Sequence, residues 1–460
     1  MSYLSVNPAT GHVLDTVEQI SDAGLDEALA TAHSAYENDW RHRPAEDRAA
    51  VLRAVAAELR SGTGYAGHLT DEVGKLVGEA EAEVDLSASI FEYYADHGEE
   101  LLAPRPVPES PGSVVYTDPL GVVLAIEPWN FPYYQVARVA AAQLMAGNVV
   151  VVKHAESVPR SALALQRLFE VAGAPAGVYT NVFASHEQIG RLIDDPRIVG
   201  VALTGSERAG AAVAERAGRN IKKVVLELGG SDPMIVLPDA DLGRSVAAAL
   251  GARLINAGQA CNATKRVIVV GRDRADEFLA AVNENLDGLV IGDPADRATG
   301  LGPLSSERAL ETLVEQVRRA QEHGATLLRG GSRIDRPGFY FEPAVLTGVE
   351  ETNPAFHEEF FGPVFLFFVV ESEEEAIALA NATPFGLGAS VFTEDLDRGG
   401  EIARRLESGM VFLNQHAWTS PEVPFGGVKR SGFGRELGEY GFGEFVNHKL
   451  VSSAQARVHA

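Results

Sequence analysis

Between residues 121 and 227, short and densely apolar runs alternate with stretches of helical period. No other feature restricts the fold as strongly. Strands are expected over 122–127, 149–153, 177–183, 199–203 and 224–227. Helices are expected over 132–145, 161–172 and 186–193, and another opens at Gly205. The run Val149-Val150-Val151-Val152 is apolar on both faces, as a strand buried between helical layers must be. A β-α-β-α order of this kind requires a parallel sheet with helices on its faces, because parallel neighbours need crossover connections. Such sheets bind ligands beyond the carboxyl ends of their strands.

A second α/β region runs over 231–412. Its strands include 266–270, 326–328 and 364–370, and its helices include 274–285, 306–323 and 373–381. The first hundred residues read mostly as helices, over 25–36, 45–60 and 71–98. A stiff linker, Pro104-Arg105-Pro106-Val107-Pro108, precedes a short strand at 113–117. The tail at 445–456 mixes polar and apolar residues and can pair with another strand or another subunit. A chain of 460 residues exceeds one simple core, and the fold class is α/β with more than one domain.

The formal net charge of -25 repels nucleic acid and anionic membranes, so neither is expected as a partner. No Cys/His cluster has zinc-ligand spacing, and no metal is expected. Cys261 is the only cysteine, so no internal disulfide forms. The first residues carry no charged-then-apolar leader, and no apolar run is long enough to span a bilayer. A cytoplasmic location is the expectation.

Three segments carry candidate chemistry. A lone cysteine is commonly an inert core residue, but Gly258-Gln259-Ala260-Cys261-Asn262 has the small and polar residues of a tight turn. A stabilised thiolate there would attack carbonyl carbon. Pro128-Trp129-Asn130-Phe131-Pro132 follows a strand end. Asn130 is either a turn residue bonding local backbone or an oxyanion donor, a role worth about 3–4 kcal/mol in a transition state. Glu227-Leu228-Gly229-Gly230 ends another strand, where Glu227 is either a solvated charge or a general base. Gly205-Ser206 joins a strand to a helix, as phosphate sites do, although most such junctions are plain turns. Lys153 and Glu156 lie at and just past a strand end, where a carboxylate can bond ribose hydroxyls and where an ordinary surface charge also sits.

Taken together, these motifs resemble the aldehyde dehydrogenase superfamily. The resemblance extends from Asn7-Pro8-Ala9-Thr10-Gly11 to the tail. It includes Glu359-Phe360-Phe361-Gly362-Pro363 and Pro424-Phe425-Gly426-Gly427, in the family's order and spacing. It implies that Cys261 attacks an aldehyde, that Asn130 and the Cys261 amide hold the oxyanion, and that Glu227 activates water to hydrolyse a thioester. For the cofactor it implies Lys153 and Glu156 on the adenosine ribose, Gly205 and Ser206 at the pyrophosphate, and Glu359 on the nicotinamide ribose. Trp129, Leu228 and Phe361 would line the same cleft. It also implies two doubly wound α/β domains plus a small oligomerisation strand unit. The cofactor domain would comprise 1–112, 120–227 and a returning segment at 426–444. The catalytic domain would be 228–425, and the oligomerisation strands 113–119 and 445–456. A homodimer or homotetramer follows.

Within the family, the chain is most similar to short bacterial succinate-semialdehyde dehydrogenases, through Lys153-His154-Ala155 and Gly426-Gly427-Val428-Lys429-Arg430-Ser431-Gly432. Arg138 stands where semialdehyde-type members carry an arginine for the substrate carboxylate, with Tyr134 one helical turn before it and Ser420 in the substrate loop. A structural ion pair is the other reading of Arg138. Ile255 departs from the pattern, since some of these enzymes have a second arginine there. The cofactor expectation is NAD in preference to NADP, without exclusivity. Glu156 would repel a 2′-phosphate by roughly 1–4 kcal/mol, whereas Lys153 would attract it. Two other readings stand beside the leading one: a dehydrogenase for a neutral or aromatic aldehyde, and a non-catalytic structural protein with the same fold.

Overall fold

The computed structural model describes residues 2–453; residues 454–456 of the expected tail strand lie outside it. The alternating segment forms five parallel strands in the order Lys223–Glu227, Ile198–Thr204, Val122–Ile126, Val149–Lys153, Tyr179–Asn181. The chain runs outward from the central strand Val122–Ile126 to one edge, then returns to fill the other side. This is the doubly wound arrangement, and its switch point lies between Val122–Ile126 and Ile198–Thr204. A sixth strand, Gly432–Phe433, comes from late in the chain and pairs antiparallel with Lys223–Glu227.

The second sheet has seven strands in the order Thr326–Arg329, Ala344–Thr347, Val364–Val370, Thr264–Val270, Asp232–Val236, Gly388–Phe392, Met410–Leu413. All are parallel except the edge strand Thr326–Arg329. Successive side chains of a strand point to opposite faces, so neighbouring residues enter different cores. Ile235, Ile268, Leu366 and Val391 pack on one face, and Met234, Val267, Phe367 and Phe392 on the other. That is why these strands read as continuous apolar runs.

The expected helices at 25–36 and 45–60 form Asp22–Asn38 and Ala45–Ser61. The stretch at 71–98 is not one helix. It is Tyr65–Val73 and Val77–Leu102, separated by Gly74-Lys75-Leu76. A hairpin, Ser2–Val6 with Val13–Glu18, was hidden by the helical reading of the first hundred residues. The tail strand Val446–Ser452 pairs antiparallel with Ser113–Pro119, which also pairs with Arg105–Pro106. Among the described residues, no helix is long and apolar enough to cross a membrane.

Candidate active site

The carboxyl ends of the first sheet point at the start of the second. Val122–Ile126 ends just before Pro128-Trp129-Asn130, Ile198–Thr204 before Gly205-Ser206, and Lys223–Glu227 in Glu227 itself. A cavity of about 230 Å³ opens at the switch point. Trp129, Asn130, Gly205, Ser206, Glu227 and Leu228 line it from the first sheet, and Cys261, Glu359 and Phe361 from the second. The Gly-Gly turn after Glu227 permits this approach. A Cβ at Gly229 would lie 2.4 Å from Glu359 Oε2, and one at Gly230 would lie 2.6 Å from the Cys261 carbonyl oxygen.

Cys261 follows an unusual turn. Asn256, Ala257 and Gly258 have φ of 49°, 52° and 76°, three successive left-handed residues. Side chains hold this backbone in place. The Asn256 amide donates to the Glu79 carboxylate, and Gln259 Nε2 donates to Asn256 O at 3.0 Å. Asn130 is fixed by the same network. Gln135 Nε2 donates to its Oδ1 at 2.9 Å, so its amide nitrogen faces the nucleophile loop and donates to Gln259 O at 2.9 Å. A carboxamide oriented this way has one further N–H for an oxyanion.

Burial raises the Cys261 thiol to about 12, against the pull of Arg138 and Lys265, which lower it. Glu227 is buried, and neither carboxylate oxygen has a hydrogen-bond partner. Burial pushes its pKa well above the ordinary carboxylate range, nearby Glu436 adds to the rise, and Arg138 opposes it. A carboxyl group so placed stays neutral until the pH climbs past that raised value.

A second cavity, of about 420 Å³, reaches Cys261 from another direction. Phe131, Tyr134, Ile255, Trp418 and Phe425 give it a mainly apolar wall, and Lys75 and Arg138 are its basic residues apart from His416. Arg138 is fully buried. Its Nε lies 2.6 Å from Glu436 Oε2, Nη2 donates to Thr204 Oγ1 at 3.1 Å, and the guanidinium sits over the Tyr134 and Phe425 rings. Tyr134 lines the cavity, and its hydroxyl is 3.0 Å from Thr419 Oγ1. Ser420 is absent from the lining and donates instead to Glu422; Thr419 takes the cavity position.

For a dinucleotide, Ser206 caps helix Glu207–Arg219 by accepting from Ala209 N at 3.3 Å, so the first turn of that helix faces the smaller cavity. The indole of Trp129 meets Phe361 edge-to-face at 5.8 Å. Lys153 and Glu156 lie outside this cavity but at the same end of the sheet, beyond the strand next to Val122–Ile126. Among the described residues, no group of three or more His, Cys, Asp or Glu could hold a metal ion.

Three neighbours of the site escaped the sequence reading, Gln135, Glu436 and Lys265, and Gln259 was read only as part of the turn. Gln135 lies one turn past Asn130 on an expected helix and Lys265 four residues past Cys261, which were usable signals; Glu436 is brought in only by tertiary folding.

A free thiol, a carboxamide and a buried carboxylate thus line one cavity beside a second that also reaches the thiol, on a doubly wound sheet. The profile of the Aldehyde dehydrogenase family matches residues 2–451, and the chain belongs to that family. It is 49% identical over 452 residues to the NADP(+) succinate-semialdehyde dehydrogenase of Deinococcus radiodurans, covering 98% of this chain and 94% of that one. The corresponding enzyme of Mycobacterium avium is 42% identical over 457 residues, with 98% and 96% covered. The solved succinic semialdehyde dehydrogenase of Streptococcus pyogenes, in complex with NADP+, superposes with a TM-score of 0.96 at 44% identity, covering 98% of this chain and 100% of that one. The chain is therefore an NAD(P)-dependent oxidoreductase, not a structural relic of the fold.

These relatives overturn the expectation that NAD is preferred. The expectation set the repulsion of a 2′-phosphate by Glu156 above its attraction by Lys153. In the structure the Glu156 carboxylate is close enough to raise the Lys153 pKa, against the larger lowering by burial, so its charge is offset by an adjacent cation. Glu156 is also partly exposed, so water screens its effect on a bound phosphate.

Proposed function

We infer that the chain oxidises succinate semialdehyde to succinate with NADP. The observation that supports this most is the meeting of the two cavities at Cys261, the larger with a cation at its wall. Arg138 is the charge that acts most strongly on the Cys261 thiol. In a four-carbon substrate the distal carboxylate is only three bonds from the carbonyl carbon, so its partner must lie near the sulfur. Arg138 donates a hydrogen bond to Thr204 and forms an ion pair with Glu436 through Nε, which leaves donors for a carboxylate.

The residues divide the work as follows. Cys261 loses its thiol proton to solvent and Sγ adds to the aldehyde carbon, while the Asn130 amide and the Cys261 N–H stabilise the oxyanion. The smaller cavity fits a nicotinamide cofactor, which supplies a hydride acceptor when bound. Glu359 would hold its ribose, and Trp129, Leu228 and Phe361 would form its walls. The tetrahedral adduct collapses to a thioester on Cys261 as its C–H bond breaks and the hydrogen leaves as hydride. Glu227 then takes a proton from water, which attacks the thioester carbon, and the carboxylate product leaves as Sγ recovers its bond to hydrogen. Glu227 disfavours transfer to another thiol acceptor, since it commits the thioester to water.

The sheets support the division into a cofactor unit (1–112, 120–227, 426–444), a catalytic unit (228–425) and strands at 113–119 and 445–453 for assembly. A lone free thiol suits a reducing cytoplasm. A second reading, oxidation of a neutral or aromatic aldehyde, draws on the apolar wall of the cavity and the Glu436 partner of Arg138. Specificity constants for succinate semialdehyde and butanal, each with NADP and NAD, decide between them. Succinate semialdehyde with NADP should lead by tenfold or more, roughly the effect of a single favourable charge contact. Lys153→Met should weaken NADP more than NAD. Equal constants for the two aldehydes would defeat the substrate reading, and equal losses for the two cofactors would defeat the role of Lys153.

A further inference from the structure

Lys265 lies four residues past the nucleophile, on strand Thr264–Val270, with its side chain fully buried. Its ammonium donates to Ala260 O at 2.8 Å and to Cys261 O, and it lies 3.1 Å from Glu359 Oε1. The same Glu359 oxygen accepts from Gly230 N at 3.1 Å. Buried Asp232 and Arg253 complete the surroundings. Burial raises the Asp232 carboxyl to about 7 while Lys265 draws it down, and Arg253 donates to Gly258 O and, at 3.2 Å, to Thr264 O. Two cations and two carboxylates therefore stand beneath the nucleophile loop, and Lys265 alone touches both the loop and the cofactor-side carboxylate.

A lysine that only satisfied loop carbonyls would not need Glu359, and a hydroxyl or amide would do the same work at lower desolvation cost. We propose that Lys265 is a positioning residue of the reaction: it fixes Cys261 relative to Glu359 and holds a positive charge beneath the sulfur. The first half rests on the reading of Glu359 as a ribose ligand; the second does not. Charged and titratable groups facing Cys261 are Arg138 and Lys265, which favour its thiolate, and Glu359 and Glu227, which oppose it. Arg138 is paired with Glu436 and Lys265 with Glu359, but of the two only Lys265 is bonded directly to the cysteine's own backbone.

The test compares Lys265→Met with Lys265→Arg, reading iodoacetamide alkylation of Cys261 at pH 8 without cofactor, then the pre-steady-state burst of NADPH. Lys265→Met should slow alkylation by about tenfold, the change in thiolate fraction for one unit in pKa. It should lower kcat while leaving the aldehyde KM near the wild-type value. Lys265→Arg keeps the charge and should restore most of the alkylation rate. Alkylation at the wild-type rate in folded Lys265→Met, or equal slowing in both variants, overturns the proposal. If Lys265→Met does not fold, Lys265→Gln takes its place, and equal rates for the Gln and Arg variants overturn it likewise. Glu359→Gln separates the two halves. Unchanged NADP+ affinity and hydride transfer in that variant defeat the ribose reading and the spacing role, but leave the charge role to stand on alkylation.

Discussion

Glu227 ends its strand level with Thr204, with a Cβ-less neighbour at Gly426 that lets the carboxylate pack closely; a Cβ there would come 2.6 Å from Oε1. Its pKa is raised by burial first and by Glu436 second. The sign of the resulting pH effect follows from its role. A base works only when deprotonated, so raising its pKa removes the active form at low pH and moves the acid limb of the rate upward. When thioester hydrolysis limits turnover, kcat should therefore rise with pH through a point well above the ordinary carboxylate range. Glu227→Gln should abolish that limb, cut steady-state turnover by about 100-fold or more, and leave a burst of one NADPH per site. Loss of the burst together with turnover would show that Glu227 acts before hydride transfer.

The loop from Ile255 to Cys261 is the element on which the site turns. Its three left-handed residues cannot be read from the sequence, because Asn256 and Gly258 tolerate positive φ but nothing signals it at Ala257 between them. What the sequence does display is periodicity. The five parallel strands of the first sheet were legible in the sequence, whereas the antiparallel Gly432–Phe433 was not, and Asn130, Glu227 and Cys261 were singled out by their place at strand ends and in a glycine-containing turn. Strands Asp232–Val236 and Gly388–Phe392 were less visible, since short apolar runs do not distinguish strand from helix. The cofactor preference was misread because Lys153 and Glu156 were weighed as separate point charges. A Cβ at Gly258 would stand 2.4 Å from the Gly362 carbonyl carbon, at a φ of 76° that side chains resist. Gly258→Ala should thus destabilise the protein by at least about 1–3 kcal/mol and disable the nucleophile even where the fold survives. Chemical denaturation and Cys261 alkylation measure the two effects, and a wild-type midpoint would contradict this account of the turn.

At the scale of the whole molecule, the three-stranded sheet leaves apolar side chains in water on both faces. Tyr116, Leu450 and Val451 are 40%, 62% and 48% exposed. A thin sheet of this kind is stable when another surface covers it. Light scattering should give the mass of a dimer or tetramer, and Leu450→Asp should lower it; a monomeric wild type would sink the idea. The sequence separation of the catalytic parts has a consequence of another sort. The carboxylate of Glu227 is framed by Gly426 and Glu436, and the turn after it is tied by Leu228 N to Ser431 O at 2.9 Å and by Ser431 Oγ to Gly229 O at 2.7 Å. All of these partners are made some 200 residues later than the strand they complete. During synthesis, at roughly 5–20 residues per second, the thiol is therefore present for seconds before the base has its surroundings. A nascent chain halted near residue 420 would carry a cysteine open to oxidants and electrophiles with no hydrolytic partner in place.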